Sequence, residues 1–336
     1  SIRVKMLTLK LIIIYILISS SIIYLSTNLG YFDKPNKRGI HRIPTINTGG
    51  LIIYLFFLSV ISLSELNYTI ELIVSIGFFV CLTGFIDDRI NLNPSSKIVL
   101  IIVPSIYLIL NGISISDLGQ YEYLGKLELG KFKIPFLLLA IGLLINATNY
   151  IDGIDGLLLI FFLNCLLYYI FLIDDIKTIN LLKFFVMAGF LNLILNLLPS
   201  KNKFKVFSGD SGSLFIGFFI SFMTIELYNS FDIHPAILIW PLWYPVYDFL
   251  FVSINRLINK KSIFTPDNTH LHHFIYKKFN GNIISTIVLF LLVNSSIIFL
   301  GYKISEISKL LSLSIFIIGF TLFFLIKFLL FKRFKN

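Results

Sequence analysis

The sequence predicts an all-α, polytopic integral membrane protein, and three observations predict it. Composition is the first: the 336 residues are 57% hydrophobic, 16% aromatic and only 14% charged, at a mean hydropathy of +0.88. That is too apolar for a water-soluble domain of this length, and it excludes a disordered chain, a secreted disulfide scaffold and an ordinary cytosolic enzyme. The second is a set of eleven stretches without Asp, Glu, Lys or Arg, long enough or nearly so to cross a hydrocarbon layer of about 30 Å. The third is that these stretches are too long and too uniformly apolar for barrel strands. A backbone in lipid must satisfy its own hydrogen bonds, so each stretch is read as a helix.

In order, the expected spans are 11–32, 43–64, 72–86, 98–116, 134–151, 156–173, 184–200, 211–225, 233–247, 279–302 and 310–326. Several fall below the usual length of about 20 residues, and flanking Lys and Arg extend them by snorkelling. About eleven helices are expected, ten being also compatible. The first run, preceded by Arg3, Lys5 and Lys10, is like a secretory leader but exceeds the usual apolar core of roughly 7–15 residues and lacks a small-residue cleavage site, so it is expected to stay as a span. Between the fourth and fifth spans, residues 116–133 alternate polar and apolar around Gly119, Gly125 and Gly130, which predicts a short β-hairpin on the extracytoplasmic side. Cys81 and Cys165 both fall inside spans and read as buried thiols. With no internal repeat and no linker, residues 1–336 are expected to form a single membrane-embedded domain.

Alternating spans sort the connections onto two faces. One face, with 33–42, 89–97, 201–205, 256–278 and 327–335, carries eighteen Lys and Arg; the other carries ten, including the amino-terminal three. The positive-inside bias puts the richer face in the cytoplasm. Every unusual polar cluster lands on that same face, which predicts a site at the cytoplasmic end of the bundle.

Those clusters carry the chemistry. Gly84-Phe-Ile-Asp87-Asp88-Arg89 sets two adjacent carboxylates at the end of an apolar run, where repulsion raises one of them toward a proton acceptor. In Asn146-Ala-Thr-Asn149-Tyr-Ile-Asp152-Gly153-Ile-Asp155-Gly156 the oxygen donors recur every three residues, on one side of a helix if the helix continues. Such donors suit a hard divalent cation such as Mg²⁺. Phe207-Ser208-Gly209-Asp210-Ser211-Gly212-Ser213 opens a span with small residues and free N–H groups that cradle phosphate. Lys201, Lys203 and Lys205 upstream attract anionic lipid or substrate phosphates. His270-Leu-His272-His273 gathers three of the five histidines without a Cys for zinc, so they read as donors to phosphate or sugar oxygens. The loop from Asp33 to Pro44, with Asn36, Arg38 and His41, mixes turn formers with cations. Asp248, eight residues before Arg256, reads as a structural pairing partner.

In this order the clusters resemble the polyprenyl-phosphate N-acetylhexosamine-1-phosphate transferases, a family of integral membrane enzymes. The matches are Asp33-x-Pro35-Asn36-x-Arg38-x-x-His41 with Gly49-Gly50, Gly84-Phe-Ile-Asp87-Asp88, Asn146-Ala-x-Asn149-x-x-Asp152-Gly-x-Asp155-Gly156-Leu157, Gly209-Asp210-x-Gly212-Ser213 and His270-Leu-His272-His273, spanning roughly residues 30 to 275. The last loop is similar to the branch that uses UDP-N-acetylglucosamine or a related sugar. The branch that transfers phospho-N-acetylmuramoyl-pentapeptide tends to have three consecutive histidines.

The resemblance implies transfer of a sugar 1-phosphate from a UDP-N-acetylhexosamine to polyprenyl phosphate, with release of UMP, as the first step of a surface polysaccharide. It implies Mg²⁺, or Mn²⁺ in its place, held by Asp210 and Asn149. Asp87, Asp88 and Asp210 would be catalytic, while Asn149, Asp152, Asp155 and Phe207 would bind the nucleotide sugar. Asn36, Arg38, His41, Arg256, His270, His272 and His273 would meet phosphates. A multi-pass protein of a bacterial-type inner membrane is expected, with no nucleic-acid partner; a homodimer is compatible. A transporter or flippase, the rival from another class, would place its coupling groups near mid-span. A CDP-alcohol phosphotransferase would need an Ala-Arg after its Asp-Gly, which is absent here.

Overall fold

Helices stand where the charge-free stretches predict them. The computed structural model describes residues 2–35, 43–64, 67–260, 262 and 269–335. The helices are α1 (Ile2–Leu29), α2 (Gly49–Leu63), α3 (Tyr68–Ile90), α4 (Pro94–Leu110), α5 (Lys133–Ile151), α6 (Leu157–Leu172), α7 (Ile176–Leu197) and α8 (Gly209–Phe231). After them come α9 (Pro235–Leu238), α10 (Trp243–Ile258), α11 (Leu271–Lys278), α12 (Ile283–Ile307) and α13 (Lys309–Lys335). Among the described residues eight helical segments are long and apolar enough to cross a membrane, and α2, α4 and α6 are shorter apolar helices. The chain is an all-α, polytopic membrane protein.

Local chemistry sets the boundaries. Side chains of Asn67, Asn93, Asp175 and Asn282 accept from backbone N–H groups at the starts of α3, α4, α7 and α12. Three expectations need correction. The ninth span runs from Pro235 to Ile258 rather than over 233–247, and it is not uniform: a 3₁₀ turn with Pro241 in it, Trp240–Leu242, separates α9 from α10. The polar run after Asn146 does not continue as helix: α5 stops at Ile151, and Gly156 turns the chain with φ +80°. The histidine loop is itself partly helical, as α11.

The axis of the molecule is α8, 72% of whose apolar core is buried, with α2, α3 and α5 packed along it. Two glycines permit that approach. A Cβ on Gly50 of α2 would lie 2.0 Å from the Gly212 nitrogen, and one on Gly84 of α3 would lie 2.3 Å from the Asp210 carbonyl oxygen. Farther along, Phe57, Phe162, Phe185, Phe215 and Phe219 interlock. Phe57 stacks on Phe185 at 3.7 Å between centroids, and Phe215 and Phe219 meet it edge-on.

Short sheets close the two ends. Next to the start of α8, β1 (Phe32–Asp33) pairs antiparallel with β2 (Thr45–Ile46), which bridges Val206. At the opposite end β3 (Asp117–Tyr121) pairs with β4 (Gly125–Glu128), the expected hairpin. Asp117 ties it down, accepting from the Tyr228 hydroxyl, the Gly119 N–H and Lys126. Burial pushes this carboxyl up, but those donors outweigh it and hold the pKa at about 2. Glu122 in the turn accepts from the first N–H groups of α13.

Candidate active site

The end of the bundle that holds β1 and β2 also holds the carboxylates. Asp87, in the last turn of α3, accepts from the Leu92 N–H at 2.7 Å and from Lys97 Nζ at 2.7 Å. The same ammonium reaches Asp210 in the first turn of α8 at 2.6 Å. The other Asp210 oxygen accepts from the Asn149 amide at 2.7 Å, and that amide also donates to Ser213 Oγ at 2.9 Å. Four helices, α3, α4, α5 and α8, thus place one group each around a single point. Between two carboxylates lies a cation, and that cation is a lysine which the sequence reading counted only toward membrane orientation.

Asp88 has a task of its own. Its oxygens accept from the N–H groups of Asp210 and Ser211 and from the Asn47 amide at 2.9 Å, so it caps α8. This sets the register of Asp210 against Asp87. The loop before α2 is laced to the same point: Gly49 and Gly50 donate to the carbonyls of Phe207 and Ser208, and Phe207 donates to Ile46.

Past the end of α5, half-buried Asp152 sits among like charges. Burial, then the charges of Asp210, Asp88 and Asp155, push its carboxyl well above the usual carboxylate range. Asp155 is bound to Lys205 at 2.7 Å. That lysine, only 4% exposed, also donates to the carbonyls of Asn196 and Leu198, so it is a buried clamp and not the cation expected to attract anionic lipid or substrate phosphates. Asn196 completes the clamp by accepting from Gly156 N–H and donating to the Val206 carbonyl. The Phe207 ring, half-buried beside Lys205 Nζ at 5.6 Å, stands at the rim of this region.

The histidines arrive from the other side. A Cβ on Gly153 would come within 3.1 Å of both the His272 and His273 rings, so the turn after α5 and the start of α11 touch. His270 Nδ1 lies 2.6 Å from Asp248 Oδ2, and His272 Nδ1 lies 2.9 Å from the Tyr244 hydroxyl. Burial, then His273 and His270, hold His272 well below an ordinary imidazole. Its Nε2 is buried with no hydrogen-bond partner. Arg256, 2% exposed, reaches toward the Tyr150 hydroxyl at 3.4 Å, and the Tyr150 ring lies 5.1 Å from that of His270. Asp248 does have a structural pairing role, but its partner is Lys327 of α13 at 2.6 Å rather than Arg256.

Asp87, Asp88, Asn149, Asp152, Asp155, Phe207, Asp210, Arg256, His270, His272 and His273 are thus gathered at one end of the bundle. Asn36, Arg38 and His41 lie outside the described residues, although the flanking Asp33 and Thr45 are paired there. Lys97, Asn47, Ser213, Asn196 and Lys327 went unread as site residues. Lys97 alone had a signal, a single Lys inside the first turn of a span that follows an Asp-Asp pair.

A family model described as glycosyl transferase family 4 matches residues 70–228, from α3 to α8. A relative named "Probable undecaprenyl-phosphate N-acetylglucosaminyl 1-phosphate transferase" from Bacillus subtilis (strain 168) is 28% identical over 310 residues, covering 90% of this chain and 84% of its own. Relatives named "Undecaprenyl-phosphate alpha-N-acetylglucosaminyl 1-phosphate transferase" occur in Yersinia pestis and Escherichia coli (strain K12). The first is 28% identical, covering 88% of this chain and 83% of its own; the second is 29% identical, covering 74% and 70%. With its motifs meeting at one end of a helical bundle, the chain is similar to glycosyl transferase family 4 over residues 70–228 and to these transferases over most of its length.

Proposed function

We propose that the protein transfers an N-acetylhexosamine 1-phosphate, with N-acetylglucosamine the first sugar to test, from its UDP derivative to undecaprenyl phosphate and releases UMP. The observation that carries this reading is the pair of carboxylates, Asp87 and Asp210, sharing one ammonium at the start of α8. Such a centre handles a diphosphate: one cation position flanked by acidic oxygens, helix-start N–H groups beside it and imidazoles opposite. The names of the relatives support the lipid acceptor and the sugar.

The donor set also fits Mg²⁺. Asp87, Asp210 and the Asn149 amide offer hard oxygens, and Lys97 Nζ at 2.7 and 2.6 Å marks where positive charge is stabilised between them. Among the described residues no group of three or more His, Cys, Asp or Glu is placed to hold a metal ion, so Mg²⁺ would have to complete its shell with water and substrate phosphates. Asp210 and Asn149 would hold it with Asp87 beside them, and when bound it would neutralise charge on the diphosphate.

The rest falls to the chain's own groups. An oxygen of undecaprenyl phosphate forms a bond to the sugar-linked phosphorus while the bond from that phosphorus to the UMP oxygen breaks. Asp87 orients the acceptor phosphate or takes its proton, and Lys97 keeps Asp87 and Asp210 from repelling one another. Asp152 and Phe207 line the nucleotide side, the ring offering a face to uracil. Arg256 and the histidines meet phosphate and sugar oxygens. The eighteen basic residues on this face support a cytoplasmic site, where a water-soluble nucleotide sugar meets a lipid headgroup. The test is UMP release by the purified chain from UDP-N-acetylglucosamine and undecaprenyl phosphate, with and without Mg²⁺.

A further inference from the structure

We propose that Lys327 of the last helix, α13, is a positioning residue of this site: through Asp248 it fixes the orientation and tautomer of His270. The inference starts from an anomaly of burial. Only 6% of the apolar core of α13 is buried, so the rest of the chain leaves most of this helix uncovered, yet Lys327 is 1% exposed. A lysine within a span normally snorkels to water. Here its Nζ turns inward to Asp248 Oδ1 at 2.6 Å and lies 4.2 Å from the centre of the Phe251 ring. Asp248, likewise 1% exposed, spends that same oxygen on the Leu271 N–H at 3.0 Å, and its other oxygen on His270 Nδ1 at 2.6 Å.

Three donors from α13, the start of α11 and the His270 ring therefore hold one carboxylate immobile. Donation from Nδ1 leaves the lone pair of a neutral His270 on Nε2, the atom left to act on a phosphate oxygen or its proton. Remove the ammonium, and Asp248 is left with a buried charge shared only with neutral donors. It is then no longer held in one place, and neither is the His270 ring bonded to it. The groups around His270 are Asp248 and Arg256 from α10, Lys327 from α13, His272 and His273 from α11 and Tyr150 from α5. Of these, Tyr150 alone lies within residues 70–228, the part that the family model matches, and Lys327 comes from the helix farthest along the chain.

The activity arm of the test rests on the proposed transfer reaction; the spectroscopic arm does not. Full-length wild type, K327M and K327R are labelled with ¹⁵N-histidine, and the His270 resonances are identified by their loss in H270N. Wild type should show a protonated Nδ1 with the shift of a ring hydrogen-bonded to a carboxylate. K327M should change that pattern and K327R should keep it. In the transfer assay K327M should lower kcat by about 10-fold or more with a much smaller change in KM, and K327R should recover part of the loss. In an H270N background K327M should cost nothing further. The double variant K327M/D248N rebalances the buried charge; it should fold and yet remain slow. An unchanged His270 spectrum in K327M, an equal loss in the H270N background, or full turnover by K327M/D248N would each overturn the proposal. If wild type released no UMP, the transfer reading would fall and the spectrum would still decide the role of Lys327.

Discussion

Lys97 neutralises two carboxylates, Asp87 and Asp210, that approach one another from different helices. Truncating one partner of such a group leaves charge uncompensated in a poorly solvated place. We therefore expect K97M and D210N to lose turnover by about 100-fold or more while still inserting and folding, since α8 keeps its Asp88 cap. Steady-state rates on detergent-purified variants check this; near-wild-type rates would remove either residue from the centre. His272 makes a separate prediction about pH. The folded chain keeps it neutral, well below the ordinary value of 6.5. Below that pH the unfolded chain binds the proton and the folded chain resists it. The contribution of His272 to stability is thus complete above about pH 6.5 and shrinks as the pH falls below it. Melting temperatures measured between pH 7.5 and 5.5 should fall toward acid, and fall less steeply in H272N. A parallel fall in both would contradict the assignment.

Helices reach the site because two glycines let them. An Ala at Gly50 would put a methyl group 2.0 Å from the Gly212 nitrogen, and neither helix backbone can give way cheaply. G50A should cost about 1–3 kcal/mol of stability, read as a lower melting temperature in detergent, and should also slow turnover by shifting the start of α8. An unchanged melting temperature would mean that α2 and α8 do not pack as described. How far these elements were legible depended on how local their causes are. Span order followed from runs of uncharged residues, and the hairpin from alternation and glycines. Breaks caused by tertiary contacts were hidden. Nothing in Asn149-x-x-Asp152-x-x-Asp155 announces that α5 stops at Ile151, because Asn196 and Lys205, some 40 and 50 residues later, hold the turn. Site residues were readable where the residue type is costly in a span, as with Asp87 and Asp210. They were unreadable where an ordinary lysine or asparagine acquires its role from a distant partner, as with Lys97, Lys205 and Lys327.

Across the whole molecule the two ends differ in kind. One gathers Asp87, Asp210, Asn149 and the histidines; the other carries the hairpin, anchored through Asp117 and Glu122 to α8 and α13. In the proposed orientation, which the excess of Lys and Arg supports, the first end faces the cytoplasm. Since Cys81 and Cys165 are buried, single cysteines report sidedness cleanly. Y123C, at the fully exposed hairpin tip, should react with a membrane-impermeant maleimide in intact cells, whereas K260C should react only after permeabilisation. The opposite pattern would invert the topology. If these dispersed groups form one phosphotransfer site, the purified chain releases UMP when given undecaprenyl phosphate, Mg²⁺ and UDP-N-acetylhexosamines. We expect UMP to appear in step with a lipid-linked sugar diphosphate, and to vanish in D210N. A folded sample that released no UMP with any of these donors would contradict the account.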